Sequence, residues 1–319
     1  MTKKLSRLNY LLLSIFLISC NPNQPEHTNM LAEFLYSREL PGYPSGSTIS
    51  YFNERFYIMG DDASTLLVLN SALKVVENVP LFIGSDKRIA KDEKADIESS
   101  EWLISEDKAK LWLFSSGSLS PQRDSAFCLD PKTGVTERIS LQAFYRKLKI
   151  ARIKELNIEA AASVGNSLLF GSRGNASNTQ NYLVKTSADS FRDGTEIKLL
   201  LLNIPTGAGV SGMSYWQQED ILLITTSEEN TQSAYEDGEI GESSLGFVHN
   251  ISKKLSGGPI TPVDWISLSA LHPDFNGQKI ESVCSQQTEH GEATVTFVSD
   301  DDKGGTRLFQ VKLKRENGR

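Results

Sequence analysis

Residues 157–175 read NIEAAASVGNSLLFGSRGN: a short polar opening leads into an apolar strand, a turn, a second apolar strand and a polar loop. The same order recurs four more times along the chain, and two further short strands follow in most units. The equivalent positions are separated by 51, 61, 52 and 70 residues, and they are Ser47, Glu98, Glu159, Ser211 and Glu281. The chain therefore contains a repeat of roughly 50 residues with four strands.

Short alternating or apolar runs, separated by Gly, Asn, Asp and Ser, fill most of the chain and predict an all-β protein. A four-stranded repeat of this length is typical of a propeller blade. We therefore predict a five-bladed β-propeller, with a six-bladed ring containing one degenerate unit, or a pair of β-sandwiches, as alternatives. The exception is LQAFYRKLKI at 141–150, whose apolar residues recur at helical spacing and predict one short connecting helix.

The two ends of the repeat region predict how the ring closes. The fifth unit ends one strand short, because RLFQVKLK at 307–314 is only its third strand. An unassigned strand, LAEFLYSREL at 31–40, precedes the first unit. If this strand supplies the missing outer strand, both ends of the domain lie in one blade and the sheet edge is covered. Residues 31–319 are therefore predicted to form a single propeller domain.

The first strand of a propeller blade is innermost, so the five equivalent positions should converge on the central channel. Three of them are glutamates, and none of the five is Lys, Arg or His. Carboxylates crowded in a narrow channel need raised pKa values, bases or a cation, and such oxygen ligands suit Ca²⁺. The alternative is a water-filled channel whose glutamates accept backbone hydrogen bonds. The predicted Ca²⁺ ligands are Ser47, Glu98, Glu159, Ser211 and Glu281.

The five-bladed arrangement and the Ser-Glu-Glu-Ser-Glu order resemble the calcium-activated nucleotidase (apyrase) family, whose central Ca²⁺ is held in that order around the blades. The resemblance implies the same five ligands in this chain, but the loops that bind nucleotide in that family have no counterpart. Over its full length the chain is similar to uncharacterised bacterial propeller lipoproteins and to the "esterase-like activity of phytase" propellers. This similarity is carried by GDDAS, KADIES, GSLSPQR, ELNIEA, SRGN, AYEDGEIG and KIESVC.

The loops after the second strands should surround the channel on the side of the ion, because the first strand starts on that face and the second returns to it. Arg123 and Arg173 are the only bases among the acids of these loops. Together with a metal ion they could bind a phosphate or carboxylate; alternatively, they neutralise Asp61, Asp62 or Asp300 in ion pairs. The candidate ligand-binding rim comprises Asp61, Asp62, Ser118, Arg123, Arg173, Asn175, Glu228 and Asp300.

The N-terminus predicts a targeting segment. A basic region at 1–7 precedes an apolar run of nine residues at 10–18, which ends in Leu-Ile-Ser-Cys20. This resembles a bacterial lipobox, so residues 1–19 are predicted to be a signal peptide and Cys20 to be lipidated. Residues 20–30 then form the lipidated start and a polar tether. No Asp follows the cysteine, which favours the outer membrane of a Gram-negative bacterium; an ordinary secretory signal is the alternative.

Charge and cysteine content restrict the partners. The chain has 40 acidic and 33 basic residues, a net charge of −7, and without residues 1–19, which contain three bases and no acid, the balance is −10. Binding to nucleic acid is therefore not expected. Cys128 and Cys284 lie in apolar, strand-like contexts and are predicted to be buried free thiols, with one disulfide as the alternative.

No zinc-protease, Cys-metal, P-loop or nucleophile-elbow motif occurs in the sequence. We therefore predict an exported, lipid-anchored binding or scaffold protein with a central Ca²⁺. Its propeller face would bind an unknown protein, a glycan or a small anionic ligand. The alternative is a metal-dependent hydrolase of phosphate or carboxylic esters, phytase-esterase-like or apyrase-like, in which Ca²⁺ acts as a Lewis acid.

Overall fold

The structure is a computed structural model, and it describes residues 29–82, 88–106, 108–229, 240–301 and 303–316. The predicted signal peptide, Cys20 and nearly all of the tether lie outside these ranges. Within them, five four-stranded sheets form a ring, so the five-bladed propeller is confirmed and the six-bladed alternative is wrong. No helix in the described ranges is long and apolar enough to cross a membrane.

Each blade except the last is built in chain order from the channel outward. Strand β1 (Met30–Glu39) is the first in the chain. Blade 1 contains β2 (Gly46–Phe52), β3 (Arg55–Gly60), β4 (Thr65–Asn70) and β5 (Val75–Pro80). Blade 2 contains β6 (Ile97–Ser105), β7 (Lys108–Ser115), β8 (Ser125–Leu129) and β9 (Thr136–Ser140). Helix α1 (Gln142–Ala151) leads to blade 3, which contains β10 (Ile158–Val164), β11 (Ser167–Ser172), β12 (Asn181–Ser187) and β13 (Lys198–Leu202).

Blade 4 contains β14 (Ala208–Trp216), β15 (Ile221–Glu229), β16 (Ile240–His249) and, after the single-turn helix α2 (Ile251–Lys254), β17 (Asp264–Ser267). A second single-turn helix, α3 (Leu268–Leu271), leads to blade 5, which contains β18 (Lys279–Glu289), β19 (Glu292–Asp300) and β20 (Thr306–Arg315). The inner strands β2, β6, β10, β14 and β18 each pack beside the next, and β18 packs beside β2.

Strand β1 is the outermost strand of blade 5, in the order β1-β20-β19-β18. It pairs antiparallel with β20, from Met30 opposite Arg315 to Glu39 opposite Arg307. The ring of Phe34 stacks on the ring of His272, in the connection between blades 4 and 5, at a centroid distance of 3.6 Å. The unassigned strand predicted at 31–40 thus completes blade 5, and the two ends of the described chain lie in one blade.

All inner strands begin, and all second strands end, on one face of the disc, which we call the mouth face. For example, Gly46 at the start of β2 pairs with Gly60 at the end of β3. Strand β1 runs toward this face, because Glu39 pairs with Arg307 near the start of β20. Met30, at the other end of β1, therefore lies at the opposite face.

Apolar side chains fill the gaps between neighbouring blades. Between blades 2 and 3, the rings of Phe114 and Phe170 meet edge to face at 4.9 Å, and Phe144 of α1 packs on Phe170 at 5.6 Å. Tyr145 and Leu148 complete the buried side of α1, so the predicted helix at 141–150 is confirmed with a shift of one residue. Both described cysteines are buried and free, which excludes the alternative of a disulfide between Cys128 and Cys284.

Candidate functional site

The five residues predicted to converge occupy one structural position. In every blade the ladder between the inner and second strands shifts by one residue, which leaves one extra residue in the inner strand. The extra residues are Ser47, Glu98, Glu159, Ser211 and Glu281. A β-bulge removes its extra residue from the ladder and redirects that side chain. The equivalence inferred from the sequence is therefore present in the backbone, near the mouth face of each blade.

The glutamates of blades 3 and 5 are paired with bases. Arg173 Nη1 lies 3.2 Å from Glu159 Oε2, and Arg173 Nη2 lies 3.3 Å from Glu229 Oε2. Lys279 Nζ lies 3.1 Å from Glu229 Oε2 and 3.1 Å from Glu281 Oε1. These side chains are at most 14% exposed, and they link blades 3, 4 and 5 in a continuous chain of ion pairs.

A second network joins blades 1 and 2. Lys94 Nζ contacts Asp61 Oδ2 and lies 2.9 Å from Asp96 Oδ1. Arg123 Nη1 lies 2.7 Å from Asp96 Oδ2, and Ser116 Oγ donates a hydrogen bond to the same oxygen. Both Asp96 oxygens are therefore occupied by protein donors, and Asp96 acts as a buried anchor for Lys94 and Arg123.

Glu98 differs from the other two glutamates of the ring. Within the described residues its carboxylate makes no hydrogen bond and no ion pair, although one of its oxygens lies with oxygens of Asp61 and Asp96 in a group whose members are all within 4.8 Å of one another. Asp61 Oδ1 is buried and accepts no hydrogen bond from the described part of the chain. Unpaired carboxylate oxygens are thus concentrated between blades 1 and 2.

The pKa values follow this asymmetry. Burial raises the pKa of Glu98 well above its ordinary value, and the neighbouring Asp96 and Asp61 anions raise it further. Burial disfavours the Asp96 anion too, but Lys94 and Arg123 outweigh that effect and lower the pKa of Asp96. Glu98 is therefore the carboxylate of this network that most requires a proton or a cation.

Burial also raises the pKa values of the two paired glutamates. For Glu281 it raises the pKa to about 8, although Lys279 acts in the opposite direction. For Glu159 it raises the pKa despite the nearby guanidinium of Arg173. Burial therefore favours the neutral forms of the three ring glutamates, Glu98, Glu159 and Glu281.

The two serine positions of the ring satisfy their hydroxyls within the protein. Ser47 Oγ donates to the backbone oxygen of Met59 at 3.1 Å. Ser211 Oγ donates to Thr225 Oγ1 at 3.2 Å. A cation that used these hydroxyl oxygens would share them with the existing hydrogen bonds.

The two rim arginines take part in ion pairs, as one of the two alternatives from the sequence proposed, but with partners that the sequence did not indicate. Arg123 pairs with Asp96 and Arg173 with Glu159, whereas the expected partners were Asp61, Asp62 and Asp300. Asp62 instead accepts a hydrogen bond of 2.8 Å from Arg88 Nε. Ser118 Oγ accepts a hydrogen bond from Arg123 Nη1 at 2.9 Å.

Three of the rim residues line one cavity on the mouth face between blades 3 and 4. The cavity has a volume of about 460 Å³. Gly209 forms part of its wall, and a Cβ at this position would approach Arg173 Cγ to 2.5 Å, so glycine gives the arginine room to reach blade 4. The rim residues at this cavity are Arg173, Asn175 and Glu228.

A family profile matches residues 42–313, which is the complete ring except for β1 and the last residues of β20. The chain belongs to a family of unknown function, DUF6929. No curated protein sequence matches it. The comparisons found no match to the nucleotidase family and none to the phytase-related propellers, so these two resemblances remain predictions.

Two solved structures similar to this DUF6929 chain differ in how closely they match it. The glutaminyl cyclase of Myxococcus xanthus is 11% identical with a TM-score of 0.52, over 90% of this chain and 98% of that chain. A putative exported protein of Bacteroides fragilis is 7% identical with a TM-score of 0.41, over 91% of this chain and 96% of that chain. The first similarity shows the fold alone, and the second is too low to support an inference.

Four residues of the site in this DUF6929 chain were missed from the sequence. Lys94 and Asp96 precede Glu98 by four and two positions, and Lys279 precedes Glu281 by two. Residues two apart in a strand share a face, so the spacing of Lys279 and Glu281 in KIES was a usable signal, whereas Lys94 and Asp96 precede β6 and strand alternation does not apply to them. The fourth residue, Glu229, lies at the end of a second strand, and no pattern in the sequence marks it as a partner of bases from other blades.

Proposed function

We propose that this protein is an exported, lipid-anchored binding protein whose channel holds a divalent cation, Ca²⁺, and whose mouth face binds its partner. The unpaired carboxylate of Glu98 is the observation that supports the proposed cation. Glu98 occupies a bulge that turns it away from the strand ladder, its pKa is raised, and no described residue neutralises it directly. Asp61 Oδ1, its unsatisfied neighbour, supplies a second oxygen for the same ion.

The charge balance of the channel supports a dication. Six carboxylates face four bases, an excess of two negative charges in a buried space. Buried charge of this kind is neutralised by protons or by a metal, and Ca²⁺ accepts six to eight oxygen ligands, including water. The six carboxylates are Asp61, Asp96, Glu98, Glu159, Glu229 and Glu281, and the four bases are Lys94, Arg123, Arg173 and Lys279.

In this proposal the ion sits on the side of the channel near blades 1 and 2. Glu98 and Asp61 provide direct ligands, and water completes the shell. The other predicted ring ligands, Glu159 and Glu281, hold Arg173 and Lys279 and enclose the far side of the channel. The proposed site is thus narrower than the symmetric five-residue cage.

We expect Ca²⁺ to stabilise the protein, by about 2.7 kcal/mol at a free concentration one hundred times the dissociation constant. Glu98→Gln keeps the shape but removes the unpaired charge, so it should raise the melting temperature of the metal-free protein and abolish most of the Ca²⁺ gain. Calorimetric titration and thermal unfolding, with and without EDTA, measure both effects.

Glu228→Gln is the matched control, because Glu228 lies at the mouth and, among the residues that the structure describes, its carboxylate accepts only a 3.4 Å backbone hydrogen bond from Glu242. This variant should bind Ca²⁺ like the unchanged protein. If the unchanged protein gives no binding heat and EDTA does not move its melting temperature, Glu98 is neutralised by a proton and the channel holds only water.

Stability of the metal-free protein should fall as the pH rises above about 4.5, the ordinary pKa of a glutamate. The folded pKa of Glu98 lies above its ordinary value of 4.5, so in this range the folded state binds a proton that the unfolded state has released. That contribution is complete below the unfolded pKa and is lost as the pH approaches the folded pKa. Urea unfolding at several pH values, compared with Glu98→Gln, isolates it; parallel curves for the two proteins would contradict the prediction.

The mouth face is proposed as the partner-binding surface because it carries the cavity lined by three rim residues. The paired state of Arg123 and Arg173 favours this binding role over the hydrolase alternative, since guanidinium groups held by buried carboxylates are not available as anion clamps. A screen with nucleotides, phosphate esters and carboxylic esters, with and without Ca²⁺, tests the alternative directly.

The lipid anchor is proposed from the sequence around Cys20. Cys20→Ser removes the acceptor thiol, so the variant should be unlipidated and should move from the membrane fraction to the soluble exported fraction. Incorporation of a radiolabelled fatty acid measures lipidation, and membrane fractionation measures the change of location. If the variant fractionates like the unchanged protein, the cysteine is not the anchor.

A further inference from the structure

Helix α1 and the residues that follow it carry a strong local reversal of charge. Residues 146–154 read RKLKIARIK, five bases without an acid, in a chain whose net charge is −7. The central channel does not use these bases, and a binding role for them is independent of the cation.

The helix turns two different faces to the protein and to the solvent. Phe144, Tyr145 and Leu148 are buried beneath it. Arg146 and Ile150, one turn apart, lie on the outer side, and Ile150 is 80% exposed, the largest value for a large apolar side chain in the described part of the chain. The outer side therefore combines positive charge with an uncovered aliphatic group.

Two of the five bases also fix the helix to its support. Lys149 Nζ donates to the backbone oxygen of Gly117 at 2.9 Å, and Lys147 Nζ donates to that of Asp193 at 2.6 Å. The remaining three, Arg146, Arg152 and Lys154, are exposed and form no ion pair with any described residue. These three bases and Ile150 make up a surface that we call the α1 patch.

The α1 patch lies on the mouth side of the disc. Tyr145 OH donates to the backbone oxygen of Ser115, where β7 ends at the mouth face. The helix covers the boundary between blades 2 and 3, which is across the ring from blade 5 and β1. The α1 patch is therefore remote from Met30, where the N-terminal segment leaves the described domain.

We propose that the α1 patch docks an acidic segment of a partner protein that also presents an apolar contact for Ile150. Charge complementarity favours an anionic partner. The exposed side chain of Ile150 favours a partner with an apolar surface that would remove this side chain from water. The membrane that holds the proposed anchor is disfavoured, because the anchor leaves from the far side of the ring. Nucleic acid is disfavoured by the acidic charge of the rest of the chain.

This inference rests on the proposed role of the mouth face in partner binding, but not on the channel ion. Its test uses the full chain with Cys20→Ser, which removes the proposed lipid, in a low-salt buffer. The probe is a fluorescent peptide of alternating Glu and Leu, and the comparison peptide contains Lys in place of Glu. Fluorescence anisotropy measures both affinities.

We expect the acidic peptide to bind and the basic peptide not to bind. Reversing Arg146, Arg152 and Lys154 to Glu should weaken the affinity about tenfold or more, because attraction becomes repulsion. Ile150→Ser should weaken it by about tenfold, because a buried aliphatic contact is lost. The matched control is Lys132→Glu with Val135→Ser, a base and an exposed apolar residue on the opposite face of blade 2, and it should bind like the unchanged protein.

The proposal is overturned if the acidic peptide does not bind, if it binds no better than the basic peptide, or if the α1 patch variants bind it unchanged. It is also overturned if the unchanged protein binds vesicles of phosphatidylglycerol and phosphatidylcholine and the α1 patch variants lose that binding while they still bind the acidic peptide. The surface would then bind lipid. Circular dichroism establishes that the variants are folded. Calorimetry with Ca²⁺ on the same variants should be unchanged, so the failure of the ion site and the failure of the α1 patch can be distinguished.

Discussion

Deleting Leu31–Leu40 should cause aggregation or a loss of stability greater than about 5 kcal/mol, since Leu40 alone, when truncated, would cost about 2–5 kcal/mol. Leu40 is only 5% exposed and belongs to a hydrophobic core shared by blades 1, 2 and 5. The deletion also removes the strand that pairs with β20 along its whole length. The uncovered edge of β20 would then be free to pair with other chains. Size-exclusion chromatography and urea unfolding measure the two outcomes.

The same strand provides the control. Leu31 and Leu35 point to solvent and are 50% and 43% exposed, so replacing both with Ser should change the unfolding free energy by less than about 1 kcal/mol. A deletion variant that remains monomeric with an unchanged unfolding midpoint would mean that β1 does not close the ring in solution.

The second large effect is expected for Arg173→Met, which should cost about 3–5 kcal/mol. The guanidinium is 7% exposed and is shared between Glu159 and Glu229. Its removal takes a guanidinium away from two buried carboxylates, of which Glu229 keeps its ion pair with Lys279, and Met fills much of the volume without replacing the charge. The loss should grow as the pH rises, because protonation of Glu159 at low pH relieves the unpaired charge. Urea unfolding at several pH values measures both the loss and its slope.

A double variant separates charge from packing. Arg173→Met with Glu159→Gln also removes the charge of Glu159, so it should recover part of the loss, with a coupling energy of about 0.5–3 kcal/mol. Arg55→Met is the control, because Arg55 and Glu77 are 3.9 Å apart and more than half exposed, and such pairs contribute about 0–1 kcal/mol. Equal losses for Arg55→Met and Arg173→Met would show that the channel network is not a structural element.

The blades could be predicted because their signals are local. The run SLLFG at 167–171 is apolar and follows a turn at Gly165, and this combination alone indicates a strand after a hairpin. The five ring positions could be aligned because each polar residue interrupts an apolar strand at the same place, and a bulge is found at each. The pairing of 31–40 with the last blade could be predicted because that blade lacked a strand.

The partners of the ring residues could not be predicted in the same way. Arg173 belongs to blade 3 but reaches Glu229 in blade 4, and that contact depends on the spacing between blades and on the absence of a side chain at Gly209. Lys94 lies in a connection before β6, where neither helical nor strand periodicity fixes its direction. Long, flexible bases can join acids across blade boundaries, and a single-sequence pattern contains no distances across those boundaries.

The pairing of β1 with β20 also determines when the domain can finish folding. Met30 and Arg315 face each other across the ladder although 285 positions separate them in the chain. Closing a loop of that length costs about 5 kcal/mol of chain entropy, which is recovered only when the two strands pair. A growing or partly translocated chain lacks β20, so blades 1–4 can form while the first strand still has no partner. Protection of β1 amides from hydrogen exchange should therefore appear last, and only in chains that contain residues 306–315.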